Sequence, residues 1–511
     1  MTQRPEEGTT MDIAIDRTSS VPIYVQISQQ IRALITSGSL PAGFRLPPER
    51  RLASALGVTR GTVLAAYREL RADALLDAHV GRGTVVLPQR FQGGPATRIG
   101  IAWSELFRAG AGRAQDPLVR DLLELTERND VVSLAVGLPA PELMPLATLH
   151  HLLDEVIAET GAAALLHCPT EGHTPLREAI AEVMATRGIR VTPAEVLVVS
   201  GAQQGLDLAA RVFLDPGDLV VVEEPSYFGA LQAFRTAQAR FLPVAADEDG
   251  MRTDLLEAAL RRHRPKLIYT LPTFQNPSGH VMSLDRRRHL LELATSFQVP
   301  VLEDDPYSEL RYEGEPLPSL KALDDAGVVL HLSTFSKALF PGLRLGWLLA
   351  PRPAIRQFAL VKQVADLHSS TLGQCLIERF LRRGYWGPFI RACRAAYAAR
   401  RDTMLSALAA EAPAGMTWRR PEGGFYLWSR LPDGTGMTRL LTRAAEAGVA
   451  FLPGRACFVN EPGADFIRLS FSLSDEGRIR DGIHRLVTAI RESTGQPRAV
   501  APTDYESRPI V

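Results

Sequence analysis

Cysteine is scarce in this chain of 511 residues. Cys168, Cys375, Cys393 and Cys457 lie far apart without paired spacing, which argues against a disulfide framework or a zinc site and for a reducing compartment. Net charge is absent too, because 57 basic side chains balance 57 acidic ones. No apolar run approaches the length of a membrane span. Met1 to Arg17 is polar and lacks the apolar centre of a signal peptide, so a cytoplasmic location is expected. The composition, 46% hydrophobic and 22% charged, is that of a globular chain long enough for more than one domain. One segment departs from the balance. Residues 21 to 90 contain no lysine and carry nine arginines against four acids (Glu49, Glu69, Asp73, Asp77), a net of +5. That asymmetry points to an anionic partner for the basic part.

The most informative stretch runs from Ser333 to Trp347. The apolar run Val328-Val329-Leu330-His331-Leu332 leads into Ser333-Thr334-Phe335-Ser336-Lys337, and Arg344 follows. A lysine at the end of a buried strand loses hydration, so its free amine is favoured. A free amine in an apolar pocket is the nucleophile that bonds an aldehyde. Thr334, Ser336 and Arg344 supply donors suited to a phosphate. Together they read as a site for pyridoxal 5'-phosphate, with Lys337 as the bonding lysine.

Residues 1–20 are polar and read as a disordered start. From Val21, the positions Ile23, Ile27, Ile31, Leu34 and Ile35 share one helical face, and Gly38 ends it. Pro47 to Leu56 reads as a short helix with proline in its first turn. Gly57-Val58-Thr59 then turns into a longer helix through Val63, Tyr67 and Leu70, with Thr59 as its N-cap. This is a helix-turn-helix, and its second helix would enter the major groove. His79 to Leu87 reads as a glycine-tipped hairpin, or wing. Arginines stand at the three expected contact points: Arg50, Arg60 and Arg82. The predicted divisions are a DNA-binding domain over 21–88, a linker over 89–117 with a short amphipathic piece near Trp103 to Phe107, a large domain over 118–495 and a tail over 496–511.

Beyond the linker, strands and helices alternate, which predicts an α/β domain on a mostly parallel sheet. In such sheets ligands collect where strands end. Val196–Val199 leads to Ser200-Gly201-Ala202-Gln203, which opens a helix suited to a phosphate. Leu219–Val222 leads to Tyr227, Leu267–Thr270 to Asn276, and Val301-Leu302 to Asp304 and Tyr307. A carboxylate beside a pyridine nitrogen keeps it protonated, and Asp304 is the candidate. Asn276 and Tyr307 suit the ring hydroxyl, and Tyr227 suits stacking on the ring face.

Pro22-Ile23-Tyr24, Leu46-Pro47-Pro48-Glu49-Arg50, Gly57-Val58-Thr59-Arg60, Thr62-Val63, Ala66-Tyr67 and Gly81-Arg82-Gly83-Thr84 resemble the winged-helix domain of GntR-type regulators. The resemblance implies operator contacts by Arg50, Arg60 and Gly81, with Thr59 and Thr62 beside them. From about Asp130 to Glu492 the chain resembles fold type I aminotransferases, through Asp304-Asp305-Pro306-Tyr307 and Ser336-Lys337 with Pro341-Gly342 and Arg344. That resemblance implies Lys337, Asp304 and Tyr307 as catalytic residues, and Ala202, Gln203, Thr334 and Arg344 at the phosphate. It also implies Arg468, in Phe466-Ile467-Arg468-Leu469-Ser470, on an effector carboxylate. The chain departs from the pattern at His167, where the family has a tyrosine reaching the partner's phosphate, and at Ala202, where a hydroxyl is usual. The full order resembles MocR-type regulators. It implies a head-to-tail homodimer that binds double-stranded operator DNA and senses an amine, an amino acid or the cofactor itself through exchange at Lys337. A working aminotransferase with an appended DNA-binding domain is the alternative.

Overall fold

A computed structural model describes residues 13–17, 21–36, 39–73, 75–79, 83–87, 130–460, 463 and 465–494. The chain divides into two compact units, Met1–Glu105 and Leu106–Val511. The expected linker, the amphipathic piece near Trp103, the wing tip with Gly81 and Arg82, and the tail lie outside the described residues.

In the first unit, α1 (Ile23–Thr36), α2 (Glu49–Leu56) and α3 (Arg60–Ala72) precede an antiparallel hairpin of β1 (Leu76–His79) and β2 (Gly83–Val86). Ile27, Ile31 and Ile35 of α1 meet Leu52, Val63 and Leu70 in one buried cluster, as their helical spacing requires. Gly57 closes α2 in the left-handed conformation, and its N–H satisfies the carbonyls of Ala53 and Ser54. Pro48 stands at the N-cap of α2 rather than inside its first turn. The expectation of a disordered start is corrected at residues 13–17. Ile13 is buried in this core, and Gln26 and Gln30 of α1 hold the backbone of Asp16 and Ala14.

In the second unit β3 (Val132–Ser133) pairs with a later strand, and eight strands form the main sheet. These are β4 (Val196–Val199), β5 (Leu219–Glu224), β6 (Arg240–Asp247), β7 (Gly250–Met251), β8 (Leu267–Thr270), β9 (Val301–Asp304), β10 (Val329–Thr334) and β11 (Gly346–Leu349). Their order is β4-β11-β10-β9-β8-β5-β6-β7. Neighbours from β10 to β6 are parallel, and β11 and β7 run antiparallel. Val220 and Val222 join a cluster with the helices Ala202–Phe213 and Arg352–Asp366, while Val221 joins another with Thr253–Arg262 and Leu284–Phe297. Both faces are covered, which is why these strands read as unbroken apolar runs. A smaller sheet is built from β12 (Thr417–Trp418), β13 (Tyr426–Arg430), β15 (Leu452–Pro453) and β16 (Phe466–Ser470), while β14 (Val449–Ala450) pairs with β3. Among the described residues no helix is long and apolar enough to cross a membrane.

The helix Ala202–Phe213 lies so close to β10 that a β-carbon on Gly205 would overlap Leu332 Cδ1. Alanine would gain about 1 kcal/mol of helix propensity, but overpacking a dense core typically loses 1–3 kcal/mol. The overlap at Leu332 outweighs the propensity, so Gly205→Ala should destabilise the second unit by up to about 2 kcal/mol, read from the urea midpoint of the full chain.

Candidate functional site

A cavity of 310 Å³ opens where β4, β5, β8, β9 and β10 end. All eleven pocket residues nominated from the sequence line it: Ala202, Gln203, Tyr227, Asn276, Asp304, Tyr307, Thr334, Ser336, Lys337, Arg344 and Arg468. Parallel strands make this convergence natural, because their loops all leave from one edge.

Asp304 ends β9 and is 2% exposed. Burial pushes its carboxyl up to about 7; Tyr269, Lys337 and His331 pull it back, and Asp305 opposes them. Tyr269 donates to Asp304 Oδ2 at 2.9 Å, whereas Oδ1 is buried with no partner. A buried carboxylate oxygen without a donor is unfavourable, so Oδ1 marks the place of a missing N–H. One strand away, Lys337 Nζ donates to the Gly137 carbonyl at 2.8 Å. Burial lowers the pKa of this amine, and the nearby guanidinium groups of Arg468 and Arg344 lower it further.

The opposite end is built for an anion. The helix Ala202–Phe213 starts at Gly201 with no side-chain cap, so its first N–H groups are open. Gly201 has φ +82°, and a β-carbon there would lie 2.6 Å from Arg344 Nη2. Only glycine suits both the conformation and the approach. Thr334 Oγ1 accepts from the Ser336 N–H at 3.1 Å and donates to the Leu345 carbonyl at 3.0 Å. Its hydroxyl therefore shapes the turn that presents Ser336 and Lys337. Behind the helix start, Asp366 receives Ser200 Oγ, Gln204 Nε2 and the buried Lys362 amine at 3.0, 2.7 and 2.6 Å.

Arg468 of β16 donates to Asn276 Oδ1 at 2.7 Å and to the Ala135 carbonyl at 2.6 Å, and its Nε is buried without a partner. Its guanidinium lies over the Tyr426 ring at 4.0 Å. Tyr307 donates to the Tyr426 hydroxyl at 3.1 Å. Sequence reasoning missed Tyr426, Tyr269 and Gly137. The Gly423-Gly424 pair before Tyr426 was the available signal, since both glycines pack directly on Phe274 beside the cavity. His167, the departure noted above, lies against His368 at 2.7 Å between ring nitrogens.

In the first unit Arg50, Thr59 and Arg60 are exposed and Thr62 is half-buried. Thr59 caps α3, accepting from the Thr62 N–H at 3.2 Å, and Glu49 stands 3.5 Å from Arg60. The N-terminal end of α3 thus presents a cation to solvent, as groove reading requires.

The family model for aminotransferase class I and II matches residues 129–486, and that for bacterial regulatory proteins of the gntR family matches 23–86. The probable rhizopine catabolism regulatory protein MocR of Rhizobium meliloti is 31% identical over 94% of this chain and 97% of its own length. The chain belongs to the MocR-type regulators of the GntR family. Aromatic-amino-acid aminotransferase 1 of Thermococcus litoralis is 43% identical over 73% of this MocR-type chain and 91% of its own. The crystal structure of LysN, an α-aminoadipate aminotransferase of Thermus thermophilus complexed with N-(5'-phosphopyridoxyl)-L-leucine, has a TM-score of 0.72 and 40% identity. That match covers 77% of this chain and 99% of LysN. The cofactor of this MocR-type chain is pyridoxal 5'-phosphate. The residues fit it: the orphaned Asp304 Oδ1 suits a ring N–H, and the uncapped helix start with Arg344 suits the phosphate.

The folded protein holds the Asp304 proton more tightly than the unfolded chain does. Stability from that proton is full below 3.8, the ordinary value, and is lost as pH rises to about 7. A cationic ring nitrogen at Oδ1 offsets the loss by favouring the ionised form. The rise in Tm on adding pyridoxal phosphate should therefore grow between about pH 5 and about pH 8, and grow less in Asp304→Asn.

Proposed function

We propose that this protein is a transcriptional regulator whose grip on operator DNA responds to an amine, an amino acid or the cofactor itself, read at Lys337. The observation that carries this reading is the joint enclosure of Lys337 and an unsatisfied Asp304, in a chain that also presents Arg60 on an exposed, capped helix. Bound pyridoxal phosphate supplies an electrophilic aldehyde carbon that an incoming amine can take over from Lys337. Asp304 holds negative charge for the ring nitrogen, and Tyr227 forms a wall of the cavity for the ring face. Asn276, with Oδ1 taken by Arg468, offers its N–H donors. Arg468 has Nε in reserve for a carboxylate. Released, the Lys337 amine returns to the Gly137 carbonyl.

A ligand alters DNA binding only through its differential affinity for two states of the protein. A homodimer reading two half-sites suits that requirement. Support for it comes from Leu360, Val364 and Leu367, which are 60%, 88% and 55% exposed, with Leu165 and Leu166 exposed nearby. An apolar face of this kind is characteristic of interfaces.

The second reading is turnover as an aminotransferase, favoured by the gathering of every nominated pocket residue around one cavity. One set of assays separates the two. Borohydride reduction of the protein with pyridoxal phosphate should fix the cofactor on Lys337, read by peptide mass. A fragment of the protein's own promoter should be shifted in a gel, with Arg60→Ala weakening binding by about 1–3 kcal/mol. Unchanged affinity in that variant removes Arg60 from the operator contacts, and rapid amino transfer to a 2-oxo acid without a gel shift favours the enzyme.

A further inference from the structure

Lys337 meets a demand that the site described so far leaves open: its amine must lose a proton before it can bond an aldehyde, and regain one when it leaves. Asp304 is oriented by Tyr269 toward a different task. The side chain placed to serve the amine is Tyr426. A β-carbon on Gly137 would overlap the Tyr426 hydroxyl, so that oxygen lies against the Gly137 backbone. The Gly137 carbonyl is the acceptor of Lys337 Nζ at 2.8 Å. Amine and phenol are therefore gathered at a single residue. The groups that face the phenol come from five elements: Lys337 after β10, Arg468 on β16, Tyr307 after β9, Tyr227 after β5, and Cys457 in the turn Gly454–Cys457. Tyr307 donates to its oxygen, and Arg468 lies over its ring. A donated hydrogen bond and two nearby cations all favour the phenolate.

From this geometry we infer that Tyr426 is a catalytic residue, the proton partner of Lys337. In the forward step an N–H bond of the Lys337 ammonium breaks, its electron pair stays on Nζ, and the proton forms the O–H bond of Tyr426. In the reverse step the phenol returns the proton to the departing amine. Charge is conserved, because an ammonium–phenolate pair becomes an amine–phenol pair. The direction of the titration agrees. Burial alone would raise the phenol, yet Arg468 and Lys337, with the Tyr307 hydrogen bond, bring it below the ordinary value of 10. Burial instead dominates at Tyr227 and Tyr307, which are both raised.

The inference rests on the reading of Lys337 as the bonding lysine, and the test separates the two. Full-length protein stripped of cofactor is mixed with pyridoxal phosphate, and attachment and release are followed by absorbance in wild type, Tyr426→Phe and a control, Tyr385→Phe, outside the cavity. A proton-transfer catalyst speeds both directions equally. Tyr426→Phe should therefore slow attachment and release alike, by about 10–100-fold, with affinity held within about threefold. Ultraviolet difference titration of the stripped protein should show one phenol ionising early in wild type and absent from Tyr426→Phe. Wild-type rates in the variant overturn the inference, as does a slowed rate matched by an equal loss of affinity, which marks a structural role. If the variant does not fold, the wild-type titration decides alone, and no early phenol overturns the proposal. If wild type itself forms no adduct at Lys337, the functional reading falls and this inference with it.

Discussion

Two ionisable side chains stand one strand apart at the dry edge of a parallel sheet. Asp304 closes β9, its ladder partner Leu332 lies in β10, and Lys337 follows where β10 turns. Burial works against both charges, in opposite directions of pH. It raises the carboxyl and lowers the amine. Neither group finds a full set of local partners, since Asp304 keeps one oxygen unpaired. The sheet beneath compensates. Glu303 receives the Leu320 N–H at 2.7 Å, the Lys321 N–H at 3.0 Å and His331 at 2.9 Å. Asp305 receives Arg187 at 2.6 Å and Ser308 at 2.8 Å. The strand ends are thus pinned by satisfied acids on either side of the unsatisfied one. A buried oxygen left without a donor is costly, and a ring N–H of the cofactor would suit it.

The anion end depends on backbone meeting backbone. A β-carbon on Gly346 would lie 2.5 Å from the Ser333 carbonyl and 3.3 Å from the Ala202 nitrogen. The start of β11, the end of β10 and the start of the helix therefore touch with no side chain between them. Arg344, at φ +52°, reaches across this junction toward Gly201. The turn fixes its backbone, while the exposed side chain makes only long hydrogen bonds, at 3.4 and 3.5 Å. Ordering that side chain is part of the cost of binding an anion here.

Much of this was legible in the chain because the main sheet is buried on both faces. Val196–Val199 and Leu267–Thr270 stand out as unbroken apolar runs, and their ends coincide with β4 and β8. The antiparallel direction of β11 was not legible, since Gly346 to Leu349 would be equally apolar either way. Tyr426 was missed for a different reason. It enters the cavity from β13 of the small sheet, where Tyr426 and Leu427 are both buried, so no alternation marks the face that turns to the cavity. Nothing local says that this face meets Lys337, 89 positions earlier in the chain. Residues 13–17 were misread because two isoleucines, Ile13 and Ile15, are too few to show a period, although their packing on the core anchors the segment.

The choice of cations follows the same physics in both units. The chain has four lysines, Lys266, Lys321, Lys337 and Lys362, among 57 basic side chains. Residues 21 to 90, which carry the gntR-family match, use arginine alone as their basic residue apart from histidine. A guanidinium does not deprotonate in proteins, so the positive charge of these side chains is insensitive to its surroundings and to pH. An ammonium does respond, and two of the four lysines are placed where it must. Lys362 is fully buried and keeps its charge through Asp366, which in turn fixes Ser200 and Gln204 behind the anion end. Lys337 faces the cavity with the Gly137 carbonyl as acceptor and the Tyr426 phenol close by, and burial favours its free amine. Few other lysines compete with Lys337 for an aldehyde, and a guanidinium does not compete at all.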